Sequence, residues 1–222
     1  MNTNYKFTKG EREASVLAGE FSAASSPVGD VQILSEFTLY GEKYIVTSIG
    51  RNAFYNCKTK MTSVVIPSSV KDIGVSAFEG CAFLKQVTIS NATSIGSCAF
   101  KNCGALLSVE MQDTPLSIGS DAFYGTKWYT SYYDSSEDGL FYIDNILFGY
   151  KGTEPVGAIE IKEGTQTIAE SAFSNCTGIT SVSFPSSLRS IDYKAFLSCN
   201  NITELNFNEG LTDIGEFAFS GC

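Results

Sequence analysis

Residues 73–89 read IGVSAFEGCAFLKQVTI, and close copies of this stretch make up most of the chain. The Ala-Phe pair inside it recurs with its alanine at positions 53, 77, 99, 122, 172, 195 and 218, so successive copies lie 24, 22, 23, 50, 23 and 23 residues apart. The period is therefore close to 23, and the interval of 50 holds two periods with one copy remodelled. A fixed period of about 20 to 29 residues is typical of a leucine-rich-repeat solenoid.

Each copy has two halves with different hydrophobic periodicities. In Leu84-x-x-Val87-x-Ile89 the apolar residues alternate with polar ones, which predicts short parallel strands stacked one per repeat. In the other half, Ile95, Ala99 and Cys103 are spaced by four, which predicts one apolar face on a short helical turn. The predicted fold is therefore an α/β leucine-rich-repeat solenoid with a parallel sheet on the concave side and helical turns on the convex side.

The repeats predict how the chain is divided. Residues 1–47 do not fit the repeat and are expected to form a small antiparallel β cap over the first open edge of the core. Residues 48–222 are expected to form about seven solenoid turns, interrupted at about 125–152 by an aromatic insertion. Within this insertion, two apolar runs flank Asp144-Asn145 and predict a β-hairpin with a two-residue turn.

Composition argues against several classes of function. The net charge of −9 and the scattered Lys and Arg residues argue against nucleic-acid binding. The absence of histidine removes the commonest general base and the Ser-His and Cys-His nucleophile pairs, so we expect no enzyme and no cofactor. Carboxylate pairs such as Glu110 with Asp113, or Glu160 with Glu163, are interpreted as solvated surface.

No apolar run approaches the length of a membrane-spanning helix, and residues 1–10 lack the apolar region of a signal peptide. We therefore expect no membrane insertion within this segment. The protein is either cytosolic or has a targeting segment outside this sequence, and we favour the second because the sequence stops at Cys222, in the middle of a repeat.

Six of the seven cysteines occupy one slot of the repeat, three residues after its phenylalanine, and Cys98 is the exception. In-register parallel neighbours point their Cβ atoms the same way, which is a poor geometry for a disulfide. We expect a column of reduced, buried thiols that behave as small hydrophobic groups. Thr126 fills the slot in one copy, so a thiol is not essential there.

The residues that should face solvent from the strands are candidates for ligand binding, because solenoids offer partners an extended concave surface. They are Ser63, Val65, Gln86, Thr88, Ser108, Glu110, Glu160, Lys162, Ser181, Ser183, Glu204 and Asn206. The alternative is that small Ser and Thr residues are simply good exposed strand formers.

The aromatic insertion gives a second candidate, because it holds the only tryptophan of the chain. Exposed rings of Trp128, Tyr129, Tyr132 and Tyr133 on one face would form a platform for carbohydrate. A Ca²⁺ site at Asp134, Glu137 and Asp138 is a further alternative, although their spacing lacks the full alternating loop pattern. The competing interpretation is that these aromatic residues fill the core where a helical turn is missing.

The pattern SIGxxAFxxCxxLxxVxIPxSVxxI, present with departures at Ser48 to Ile73 and Ser94 to Ile118, resembles the BspA-like leucine-rich repeats of bacteria and protozoa. The resemblance covers about residues 45–222 and includes the interruption between Gly125 and Gly152. It implies a non-enzymatic protein at the cell surface or secreted, with adhesion to host extracellular-matrix proteins or to other bacteria. A purely structural spacer is the remaining alternative.

Overall fold

The computed structural model describes residues 5–7, 13–16, 28–57, 60–113, 115 and 117–222. The chain divides into two compact units. Unit 1 consists of Met1–Pro115 and Asp121–Ser131, and unit 2 of Leu116–Ser120 and Tyr132–Cys222. Within the described ranges, no helix is both long and apolar enough to cross a membrane.

Unit 1 is built on two sheets of mainly parallel strands. Its strands are β1 (Tyr5–Phe7), β2 (Glu13–Val16), β3 (Gly29–Gln32), β4 (Glu36–Leu39), β5 (Glu42–Ile49), β6 (Met61–Ile66), β7 (Asp72–Ile73), β8 (Gln86–Ile89), β9 (Ser94–Ile95) and β10 (Ser108–Met111). One sheet has the order β10-β8-β6-β3, with every pair parallel. In the other sheet β2, β5, β7 and β9 are parallel neighbours, while β1 and β4 pair antiparallel with β2 and β5.

Unit 2 repeats this arrangement. Its strands are β11 (Ser117–Ile118), β12 (Gly139–Ile143), β13 (Ile146–Lys151), β14 (Gly157–Glu160), β15 (Thr167–Ile168), β16 (Ile179–Ser183), β17 (Ser190–Ile191), β18 (Glu204–Asn206) and β19 (Asp213–Ile214). One sheet has the order β14-β16-β18 and the other β12-β13-β15-β17-β19. The predicted parallel-strand solenoid is thus confirmed, with a second, two-residue strand per repeat that the sequence pattern did not predict.

The half of the repeat expected to be helical forms hydrogen-bonded turns instead. In residues 75–80, every second backbone amide donates a hydrogen bond to the next repeat and not to its own. The amides of Ser76, Phe78 and Gly80 donate to the carbonyls of Ser97, Ala99 and Lys101 at 3.0, 2.7 and 2.8 Å. Ser76 and Gly80 have φ of 54° and 73°, in the left-handed region, which an α-helix does not contain. The turns therefore form a third ladder between repeats, and the Ala-Phe pair lies at its centre.

The core of each unit contains a column of stacked phenylalanines. In unit 1 the rings of Phe54, Phe78, Phe100 and Phe123 follow one another at centroid distances of 4.9, 5.0 and 5.4 Å, with nearly parallel planes. In unit 2 the rings of Phe173, Phe196 and Phe219 stack at 5.0 and 5.2 Å. Burying one large ring per repeat supplies much of the apolar stabilisation of each turn.

The predicted column of buried cysteines is confirmed for five of its six members, and the cysteines of the described residues are not in disulfides. Cys57, Cys81, Cys103, Cys176 and Cys199 are buried, whereas Cys98 is half-buried and Cys222 is exposed. The thiol of Cys103 donates to the carbonyl of Phe78 in the preceding repeat at 3.0 Å, and Cys199 donates to Phe173 in the same way at 3.1 Å. The slot therefore favours a small side chain that can donate a weak hydrogen bond. Burial raises the pKa of the Cys199 thiol to about 12, so this thiol stays protonated at neutral pH.

The expected N-terminal cap is only partly antiparallel. β1 with β2 and β4 with β5 are antiparallel, but β2 pairs parallel with β5 and β3 pairs parallel with β6. β3 is thus a member of the same sheet as the repeat strands. The domain boundary at residue 47 stays a prediction.

The remodelled copy begins with a helix that the sequence analysis did not predict, α1 (Lys127–Ser135). Thr126 is its N-cap, because its hydroxyl accepts from the amide of Tyr129 at 3.0 Å while donating to the carbonyl of Phe123 at 2.8 Å. The copy that has Thr in the cysteine slot is thus the copy that starts a helix. The predicted β12–β13 hairpin is confirmed, with a two-residue turn in which Asp144 has a φ of 52°.

Candidate functional site

In unit 1 the candidate strand residues form two rows across the sheet, in register. The unit 1 strand face, as we call this surface, consists of Asp30, Gln32, Ser63, Val65, Gln86, Thr88, Ser108 and Glu110. Ser63, Gln86 and Ser108 are register partners in the first row, and Val65, Thr88 and Glu110 in the second. All six are exposed or half-buried, while the alternate residues Val64 and Val87 lie in the core.

Two members of this face were missed by the sequence analysis because β3 was assigned to the cap. Asp30 pairs with Ser63 and Gln32 with Val65, so they extend the first and the second row. The available signal was the apolar alternation of Val31 and Ile33, which matches that of Val64 and Ile66 in β6.

Neutral donors orient both carboxylates of the unit 1 strand face. Asp30 Oδ1 accepts from the hydroxyls of Thr62 and Ser63 at 3.1 and 2.7 Å. These two bonds, that from Ser63 above all, hold the pKa of Asp30 below its usual value. Glu110 accepts from Gln86 Nε2 at 3.2 Å and from Thr88 Oγ1 at 3.5 Å.

Unit 2 carries an equivalent surface, which we call the unit 2 strand face. Its members are Ala158, Glu160, Ser181, Ser183, Glu204 and Asn206. Ala158, Ser181 and Glu204 form one row, and Glu160, Ser183 and Asn206 the other. Ala158 was not among the predicted residues. Asn206 Nδ2 donates to Glu204 Oε1 at 3.0 Å.

Lys162 lies beyond the end of β14 and so is not part of the unit 2 strand face. Its ammonium group lies 4.4 Å from the centroid of the Tyr142 ring, and its backbone amide donates to the hydroxyl of Tyr142 at 3.3 Å. The Lys162 side chain is thus engaged within unit 2.

The predicted platform of exposed rings is wrong for Trp128. This residue is only 5% exposed, and its ring lies edge-on to Phe123 at 4.9 Å, where it covers the end of the phenylalanine column. Tyr129 and Tyr133 are half-buried, and Tyr133 lies edge-on to Phe141 at 5.2 Å. Tyr132 is 39% exposed. The packing interpretation therefore describes Trp128, because burying a large ring against the column is more favourable than leaving it in water.

In the residues that the structure describes, no three His, Cys, Asp or Glu side chains gather in an arrangement that could hold a metal ion. This result covers Asp134, Glu137 and Asp138, so the Ca²⁺ alternative gains no support.

Unit 2 contains a buried carboxylate that the sequence did not reveal. Asp192, 8% exposed, occupies the position that is glycine in most copies. Its carboxylate accepts from Ser117 Oγ, Ile118 N and Tyr193 N at 2.9, 2.6 and 2.7 Å. Burial raises the pKa of Asp192 above its usual value despite these bonds. Together with Glu170, which binds the amide and hydroxyl of Ser120, it fastens residues 117–120 within unit 2.

Repeated parallel strands, ladders of turns and in-register polar rows define a leucine-rich-repeat protein. The model of the BspA type leucine rich repeat region matches residues 31–131 and 142–222, with six copies. The chain therefore belongs to this family, and the resemblance inferred from the repeat pattern is confirmed.

Several solved structures are similar to the chain, and two of them are described here. One is a leucine rich cell surface protein from Faecalibacterium prausnitzii A2-165, with 27% identity and a TM-score of 0.52 over 98% of this chain and 50% of that one. The other is a leucine-rich repeat protein from Bacteroides ovatus ATCC 8483, with 28% identity and a TM-score of 0.52 over 99% of this chain and 55% of that one. The chain thus spans about half the length of these two proteins. No curated protein matches it.

Proposed function

We propose that the protein is a non-enzymatic binding module that contacts other proteins through the strand faces of its two units. The observation that carries this proposal is the pair of in-register rows of exposed or half-buried, mostly polar side chains on each parallel sheet. Such rows offer a partner a continuous set of hydrogen-bonding groups across neighbouring strands. The absence of histidine and of any gathered metal ligands in the described residues is in keeping with binding rather than catalysis.

The proposed partners are extracellular-matrix proteins of a host or surface proteins of other bacteria, and the proposed location is the cell surface or the medium. Family membership supports this proposal, as does the similarity to a protein described as a leucine rich cell surface protein. The unit 1 strand face has no Tyr, Trp or Arg, the residues that usually dominate binding energy, so a single module should bind with modest affinity. Several modules on one surface would then act through avidity.

The test is binding of the purified protein to an immobilised panel of matrix proteins and glycans. A blocking variant carries Gln86→Trp on β8 of unit 1 and Ser183→Trp on β16 of unit 2. Both positions are exposed, and both strands lie inside their sheets with a neighbouring strand on each side. Its matched control carries Ala82→Trp and Thr177→Trp, at exposed positions one residue after the repeat cysteine.

We expect saturable binding of at least one protein, lost in the blocking variant and kept in the control. Equal binding by all three forms would contradict the use of the strand faces. Binding confined to glycans, or no binding at all, would contradict the proposed protein partners and favour the glycan-binding or spacer alternative.

A further inference from the structure

The unit 1 strand face has carboxylates but no cations. Among its outward positions, Asp30 and Glu110 are acidic and none is Lys or Arg. Both carboxylates are exposed, and their hydrogen bonds come from neutral groups: the hydroxyls of Thr62, Ser63 and Thr88 and the amide of Gln86. In the described part of the chain, neither carboxylate forms an ion pair with a Lys or Arg side chain.

Ion pairs in the described part of unit 1 lie elsewhere. Lys43 pairs with Glu36 at 2.6 Å on the β4–β5 hairpin, and Lys101 pairs with Asp121 at 2.7 Å in the turns. The lysines nearest in sequence to the face, Lys60 and Lys85, precede β6 and β8. Neither of them forms an ion pair with Asp30 or Glu110.

The hydroxyl bonds to Asp30 also lower its pKa, so this carboxylate stays ionised at mildly acidic pH. The bonds from Gln86 and Thr88 restrict the rotamers of Glu110, which reduces the entropy lost when a partner binds. The two charges are thus oriented before any ligand arrives.

The distance between the two charges sets the reach required of a partner. Asp30 is in the first row on β3 and Glu110 in the second row on β10, so they are three strand steps apart across the sheet and two residues apart along it, which corresponds to about 16 Å. Side chains four residues apart in an extended peptide are separated by about 13 Å. The long side chains of Lys and Arg can cover the remaining few ångströms, so an extended segment that crosses the strands diagonally can place basic groups at both carboxylates, with Ser63, Gln86 and Thr88 beneath its backbone.

From this charge complementarity we infer that the partner of the unit 1 strand face is an extended basic polypeptide segment whose Lys or Arg side chains contact Asp30 and Glu110. The inference rests on the proposed protein-binding function and narrows it to one chemical class of partner.

The test uses a short labelled peptide with Lys at every fourth position and Ser or Gly between, and a matched peptide with Glu in place of Lys. Binding is measured by fluorescence anisotropy to the parent and to a face variant, Asp30→Asn with Glu110→Gln. A control variant, Asp72→Asn with Glu79→Gln, changes the net charge equally. Asp72 is a useful control because it is exposed and accepts a hydroxyl bond from Ser94 at 2.7 Å, but lies in the other sheet.

We expect the Lys peptide to bind the parent, the Glu peptide not to bind, and the face variant to lose about tenfold in affinity, within the range for two exposed ion pairs. The control variant should stay within about twofold of the parent. Equal losses in both variants would show a net-charge effect only and would overturn the inference, as would failure of the Lys peptide to bind.

A failure of the basic-partner inference can be distinguished from a failure of the proposed protein-binding function. Loss of a matrix ligand in the Gln86→Trp and Ser183→Trp variant, together with no effect of Asp30→Asn and Glu110→Gln on that ligand, would keep the binding face and reject the basic partner.

Discussion

Replacement of Gly96 by alanine tests the close contact between repeats. A Cβ atom at this position would lie 2.6 Å from the backbone nitrogen of Val75 and 2.8 Å from the carbonyl carbon of Gly74, whereas ordinary contacts begin at 3.4 Å. The obstacle is backbone of the preceding repeat, so no side-chain rotation can relieve it. The two repeats must separate locally by about 0.8 Å.

The expected cost follows from two effects. Overpacking of this kind costs about 1–3 kcal/mol. The separation also stretches the hydrogen bond from Gly96 N to Ile73 O, now 2.7 Å, and such a bond contributes about 0.5–1.5 kcal/mol. Gly96→Ala should therefore lower the free energy of unfolding of unit 1 by about 2–4 kcal/mol.

Gly104 provides the matched control in the same repeat. A Cβ there would meet nothing within 4 Å, and its φ is not in the left-handed region. Gly104→Ala should raise the free energy of unfolding by about 0.4–1 kcal/mol, because alanine restricts the unfolded chain. Urea unfolding followed by the fluorescence of Trp128, which is buried in unit 1, measures both variants. A Gly96→Ala protein as stable as the parent, or equal losses in both variants, would refute this reasoning.

Three further changes test other parts of the structure. Phe100→Ala removes a ring that is stacked on both sides, so we expect the free energy of unfolding measured with urea to fall by about 3–5 kcal/mol. As the control, Phe83→Ala at an exposed position should lower it by less than about 1 kcal/mol. Thr126→Ala removes the N-cap of α1 and should cost about 0.5–2 kcal/mol, with a loss of helical signal by circular dichroism; an unchanged midpoint would contradict the capping role. Burial raises the pKa of the Asp192 carboxyl in the folded protein above 3.8, so the folded protein binds the carboxyl proton more tightly than the unfolded chain does. The contribution of Asp192 to the free energy of unfolding is therefore largest at low pH and falls as the pH rises from 3.8 through the folded-state pKa. In urea titrations at several pH values, the free energy of unfolding of the parent should fall over that range relative to that of Asp192→Asn. The same pH dependence in both proteins would contradict this prediction.

The sequence predicted the repeats and the strand rows well, because both depend on short-range periodicity. The alternation of Leu84, Val87 and Ile89 sets which side chains enter the core, and a fixed period of about 23 places equivalent residues opposite one another. The rows were therefore predictable on most strands, but not on β3, whose Val31 and Ile33 lie outside a recognisable Ala-Phe copy, nor fully on β14, where Ala158 was missed and Lys162 was wrongly included.

The turns and the insertion were predicted less well, for two physical reasons. The left-handed residues of the turns include Ser76 and Cys98, which give no sequence signal comparable to glycine, so a spacing of four was interpreted as helical. In the insertion, Trp128 ends the phenylalanine column, and its burial depends on contacts between residues of different repeats. Asp192 similarly replaces glycine because Ser117 and Ile118, far away in sequence, supply its hydrogen-bond donors.

The most direct test of the proposed binding face is site-specific photo-crosslinking to a ligand found in the matrix panel. A photoreactive phenylalanine analogue is placed at Gln86, on the unit 1 strand face, or at Ala82, an exposed position outside it. We predict a crosslinked complex from position 86 that unlabelled ligand competes away, and little or none from position 82. Equal crosslinking from both positions, or crosslinking from position 82 alone, would contradict the strand face as the binding surface.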